Sequence, residues 1–134
     1  MPAGYSGTPL AKKLGFASGM AVWAKGMPDS VRAEIEVSAA PRFVARPSQG
    51  QAAAHVFHSS AAKLEADLAK LRPLLAPAGM VWVSWPKKAA KVATDITEDV
   101  IRALALPMGY VDVKVCAVDE TWSGLKLVIR KSER

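Results

Sequence analysis

Four basic residues stand where short apolar runs end. They are Lys25 in "AVWAKG", Arg46 in "RFVARP", and Lys87 with Lys88 in "VWVSWPKK". Ammonium and guanidinium groups hold phosphates and carboxylates through charge-assisted hydrogen bonds. Ser59 and Ser60 lie between the run "AHVFH" and an amphipathic stretch that begins at Ala61. Hydroxyls at such a junction cap helices, and the free N–H groups of a helix start favour an anion. Trp85 and Pro86 precede the lysine pair, and Thr94 and Asp95 follow a few residues later. Asp119 and Glu120 add a second acidic position before "TWSG". The candidate ligand-binding set is therefore Lys25, Ser59, Ser60, Trp85, Lys87, Lys88, Thr94, Asp95, Asp119 and Glu120. Anion recognition is the chemistry this set favours. Paired carboxylates can do acid/base work, but in a turn between strands they more often stay solvated or bind lysines.

Other chemistries find less support. Cys116 is the single cysteine and lies in an apolar run, as a small core residue does. With His55 and His58 as the only histidines, no Cys/His metal framework can be assembled, so no metal is expected. Ser59 follows His58 directly, and adjacent strand residues point to opposite faces, which makes a poor Ser-His pair. His55 and His58 diverge for the same reason. No GxxxxGK[ST] is present, and the first strand is followed by "AKGMPDS" rather than GxGxxG. A nucleotide cradled by glycines is not expected, and no cofactor is assigned. Lys12 and Lys13, with Tyr5, Trp85 and Trp122, make a weaker basic and aromatic set suited to single-stranded nucleic acid.

The elements that position these residues follow from periodicity and stop signals. A short helix over 9–14 has Thr8 as N-cap and Gly15 as its stop. Strands are expected at about 20–25, 42–46, 53–58, 79–85, 110–118 and 124–131. Asp29-Ser30 open a second helix. The clearest helix follows Ser59-Ser60, where Leu64, Leu68, Leu71 and Leu75 recur on one stripe. A last helix runs over 94–106, capped at Thr94 or Asp95 and closed by Gly109. Val22, Val56, Leu68, Val81, Val83, Ile101 and Val115 are expected in the core.

Alternating buried strands and helices predict a three-layer Rossmann-like α/β domain over 1–134, with a mostly parallel sheet and a C-terminal antiparallel hairpin. In such sheets ligands collect beyond the carboxyl ends of the strands, at the switch in strand order. That rule puts Lys25, Arg46, Ser59, Ser60, Lys87 and Lys88 on one rim. The strand near 20–25 is expected beside 53–58, with 79–85 next.

The chain has 134 residues and a formal charge of +6, with 51% apolar residues, enough for one packed core. The positive charge admits an anionic small molecule or nucleic acid as partner. No apolar run approaches the ~18 residues of a membrane span. The opening "MPAGYSGTPLAKKLGF" lacks the apolar core of a signal peptide, so a cytoplasmic location is expected. No feature specifies an oligomeric state.

Three segments carry a resemblance: "AGYSGTPLAKKLG", "VWVSWPKKAAKVATDITEDVIR" and "VDVKVCAVDETWSGLKLVIR". They resemble the signature of a small bacterial family classed as a domain of unknown function. That match implies no chemistry. "LRPLLAPAGMVWVSW" resembles the turn feeding the fifth strand of class I methyltransferases, and the closing strand pair is similar too. This second resemblance implies a reduced version of that fold. It departs from the superfamily in three ways. The glycine-rich loop after the first strand is absent, Arg46 follows the second strand where an acid on the cofactor ribose is implied, and one strand–helix unit is missing. These departures imply a degenerate relative that does not methylate. The leading reading is a binding or regulatory module for an anionic ligand at the basic rim. The alternative is a minimal or degenerate methyltransferase-like enzyme, with Lys87 or Lys88 on the substrate and Asp95 or Asp119 as base.

Overall fold

The computed structural model describes residues 7–134. Leu10–Leu14 form α1, which ends where Gly15 takes the left-handed conformation at φ 77°. Pro9, not Thr8, is its N-cap, and no side chain caps it. There follow β1 (Ala21–Lys25), α2 (Asp29–Glu36), β2 (Arg42–Val44), β3 (Gln51–Phe57) and α3 (Ala61–Leu71). The chain continues through β4 (Leu75–Pro86), α4 (Glu98–Ala105), β5 (Tyr110–Ala117) and β6 (Trp122–Ile129). Among the described residues no helix is long and apolar enough to cross a membrane.

The six strands form one sheet in the order β2-β1-β3-β4-β6-β5. The ladders β2–β1, β1–β3 and β3–β4 are parallel, and β4–β6 and β6–β5 are antiparallel. The expected neighbours of β1 and β3 are thus observed, together with the antiparallel hairpin. The sheet is mixed rather than mostly parallel. The reason is the short connection after Val118, which reverses the chain, and the seating of β6 between β4 and β5. Leu125 and Leu127 of β6 then pair with Val83 and Val81 of β4 and continue one apolar face.

Period-2 alternation sends side chains to two separate cores. On one face Trp23, Ala54, Val56, Val81, Val83 and Leu127 pack beneath Leu64, Leu68 and Leu71 of α3 and Ile101 and Ala105 of α4. On the other, Val22, Ala53, Phe57 and Trp82 pack beneath Leu10 and Leu14 of α1 and Val31 and Ile35 of α2. Val115 departs from the expected core, with 46% of its surface exposed. It lies on the edge strand β5, beyond an irregularity between Asp112 and Lys114 that shifts the register.

The path from β2 to β3 decides the shape of the rim. Both strands are parallel to β1 and flank it. Residues 45–50 make the crossing without a helix. The loop covers Trp23, whose Nε1 donates to Ala45 O at 3.1 Å. Lys25 and Lys70 close the same ring, with their Nζ atoms 5.8 and 5.7 Å from its centroid.

Candidate functional site

The reversal of strand order falls at β1, which has β2 on one side and β3 on the other. The crevice expected there is bounded by the turns after β1, β3 and β4. After β1 the turn is Gly26-Met27-Pro28. Gly26 has φ 68°, and a Cβ on it would lie 2.9 Å from Phe57 O. The glycine is required because this turn packs directly on the end of β3. α2 then starts with Pro28 as N-cap and no side-chain cap.

After β3 come His58, Ser59 and Ser60. Ser60 is the N-cap of α3, its hydroxyl accepting from Lys63 N. The helix start expected to hold an anion is already occupied by the protein. Asp95 Oδ1 accepts from Ala61 N at 2.7 Å. Thr94 Oγ1 donates to Ser59 O at 2.9 Å, and Asp95 N donates to the same carbonyl at 3.3 Å. Thr94 and Asp95 therefore do not cap α4. Thr97 does, accepting from Val100 N at 3.2 Å. The segment 91–96 lies across the rim and ties α3 to the turn after β4.

After β4, Trp85 is buried, 7% exposed, in the core with Ile96. Lys87 N donates to Thr121 O at 2.7 Å, which anchors this turn to the hairpin. Lys88–Ala90 form a 3-10 turn that ends at Lys91, whose φ of 55° is the one positive value among described non-glycine residues. Neither Lys87 nor Lys88 forms an ion pair with Asp95 or Asp119. Asp95 is engaged as a helix cap, and Asp119 Oδ1 accepts from Thr121 N and Trp122 N, both at 2.8 Å. Glu120 is exposed beside it. Among the described residues Lys87, Lys88 and Lys91 make no ion pair.

Lys25 is paired, with an acid absent from the candidate set. Its Nζ lies 3.3 Å from Asp67 Oδ1, and Asp67 Oδ2 lies 2.6 Å from His58 Nε2. Asp67 projects from the buried face of α3 between Leu64 and Leu68, where a carboxylate interrupts an apolar stripe. That interruption is the sequence signal by which it could have been found. His58 follows β3 on the face of Val56 and Ala54, and His55 points to the opposite one. His55 is enclosed, its Nε2 2.7 Å from Ser84 Oγ and its ring stacked on Phe57.

The basic and aromatic surface suggested for single-stranded nucleic acid is divided. Trp85 is buried in one core, and Trp122 packs edge-on to Phe57 on the other face. Tyr5 lies outside the described residues. Burial raises the thiol pKa of Cys116, which disfavours the thiolate. Among the described residues no cluster of three His, Cys, Asp or Glu could hold a metal. A groove of about 380 Å³ between α1 and α2, lined by Pro9, Lys12, Phe16 and Ala39, opens at the amino ends of β1 and β2, away from this rim.

Solved structures of low sequence identity share this arrangement. A candidate type 11 methyltransferase from Sulfolobus solfataricus superposes with a TM-score of 0.63 over 87% of each chain, at 11% identity. Magnesium protoporphyrin IX methyltransferase from Synechocystis PCC 6803, with SAM bound, gives 0.57 over 90% of this chain and 74% of that one, at 12% identity. A pericyclic reaction enzyme also gives 0.57, and this chain spans 39% of its length, at 10% identity. The likeness is one of fold. No family model matches the chain, and neither does any curated protein. The resemblance to methyltransferases thus holds at the level of the fold, and the one to a bacterial family of unknown function gains no support.

The described residues do not reproduce a cradle for adenosylmethionine. The turn after β1 is short and closed onto Phe57, and Ala45 and Arg46 follow β2.

Proposed function

We propose that the protein is a small binding module that takes an anionic small molecule on the rim formed by the turns after β1, β3 and β4, and that it transfers no methyl group. One observation carries this reading. Asp95 and Asp119 are engaged by backbone N–H groups, so half-buried Lys87 and exposed Lys88 have no partner acid among the described residues. A turn whose backbone is already anchored to the hairpin through Lys87 N and Thr121 O orders little further on binding an anion. Lys25 lends further positive charge from β1, although Asp67 neutralises part of it.

Calorimetric titration at low ionic strength with inorganic phosphate, pyrophosphate and nucleotides tests the proposal. Saturable binding that weakens with salt is expected. Absence of heat from every anion contradicts it. An oligonucleotide arm separates a small ligand from nucleic acid, which should show no saturable preference over pyrophosphate.

A methyltransferase-like enzyme is the second reading, and the shared fold favours it. Asp95 or Asp119 as base would have to leave the backbone groups they cap. Equilibrium dialysis with labelled adenosylmethionine separates the two readings: retention of the cofactor supports the enzyme, and no retention supports the module.

A further inference from the structure

Asp67 reaches the rim from α3 and holds two partners. Its Oδ2 is 2.6 Å from His58 Nε2, and its Oδ1 is 3.3 Å from Lys25 Nζ. A carboxylate beside an ammonium is an acceptor only. The hydrogen shared with the imidazole therefore sits on Nε2. In the neutral ring Nδ1 is then an acceptor. No described group donates to it. His58 is only 9% exposed, yet among the described residues the one buried side-chain atom without a partner is His55 Nδ1, so His58 Nδ1 is not sealed away. In its neutral Nε2–H form His58 thus presents a lone pair at Nδ1, with the Asp67 carboxylate on the opposite nitrogen.

Carboxylate-held imidazoles with the second nitrogen open serve a metal or a hydrogen-bonding ligand. A metal would need further ligands, which the described residues do not gather, and it would meet Lys25 beside the shared carboxylate. A ligand is the remaining partner. Its position is set by the sheet. β3 lies between β1 and β4, and His58 N donates to Ser84 O at the far end of β4. His58 therefore stands between the end of β1, which carries Lys25, and the end of β4, which leads into Lys87 and Lys88.

We infer that His58, positioned by Asp67, accepts a hydrogen bond from the rim's ligand, and that this ligand is a hydroxyl-bearing phosphate of the sugar-phosphate class. The inference rests on the anion reading above and narrows it. Lysines alone would favour any compact anion by charge, whereas a lone pair at Nδ1 rewards a donor on the ligand.

Titration of the full chain with inorganic phosphate and with ribose 5-phosphate tests this. Ribose 5-phosphate should bind roughly three- to tenfold more tightly, the range of one added hydrogen bond. In His58→Phe the two affinities should converge while phosphate binding persists. The unaltered chain gives a second readout through the imidazole nitrogen resonances. The Nε2–H form is expected, with Nδ1 shifting on addition of ribose 5-phosphate and not of phosphate. Equal affinities with an unmoved Nδ1, a preference that survives in His58→Phe, or an Nδ1–H form would overturn the inference and leave the anion reading intact. Failure of both probes to bind overturns the two together.

Discussion

His55 shows what a titratable group does when the fold encloses it. Phe16 and Phe57 flank its ring, Ser84 meets Nε2, and Nδ1 has no partner. Burial lowers its pKa from 6.5 to about 3. The folded protein therefore keeps the ring neutral, while the unfolded chain takes up a proton below pH 6.5. The stabilising effect is complete above that value and is lost progressively as pH falls toward about 3. Urea midpoints measured between pH 7 and 5, above most carboxylate titration, should decline. His55→Gln keeps a partner for Ser84 without a titrating ring and should flatten that decline. An unchanged slope would mean that the imidazole is hydrated in the folded state. His58 differs only in setting: one step of strand alternation and the arrival of Asp67 put it on the rim. Alternation from sequence separates the two rings correctly. It cannot supply Asp67, because that partner comes from the packing of α3.

Helices and turns carry the next level. Asp95 caps α3 from across the rim, so Asp95→Ala should cost about 1 kcal/mol, the usual loss for an N-cap. Chemical denaturation checks this, and a change near zero would mean that Ser60 caps the helix alone. Leu68, 1% exposed on the stripe of α3, should cost about 2–5 kcal/mol as Leu68→Ala, through lost burial and a cavity. A cost under ~1 kcal/mol would contradict the packing of α3 on the sheet. The stripe of α3 as far as Leu71, the stop at Gly15 and the strand ending in Trp85-Pro86 were legible because each depends on residues a few positions apart, whereas Leu75, expected on the same stripe, opens β4 instead. The role of Thr94 and Asp95 was not legible. Local spacing assigns a cap to the helix that follows, and these residues cap the one that came before. Val115 was misplaced for a different reason: it shares a face with buried Leu125, but it lies on the edge strand, where it stays 46% exposed.

At the scale of the whole molecule, the fold is shared with methyltransferase structures, and a six-residue loop, 45–50, carries the chain from β2 to β3. Trp23 is sealed by that loop and by two lysine side chains. The basic rim was readable because strand ends follow from apolar runs, and the switch point follows from topology. That its acids would be engaged elsewhere required the fold. Equilibrium dialysis should show no retention of adenosylmethionine. Lys87 and Lys88 make no ion pair among the described residues, so replacing both with alanine should leave the melting temperature of the free protein unchanged. The most direct test is calorimetric titration of wild type and Lys87→Ala/Lys88→Ala with pyrophosphate at low ionic strength. Saturable binding by the wild type, lost in the folded double variant, is the predicted result. Equal binding by both proteins, or none by the wild type, would contradict a binding site on this rim.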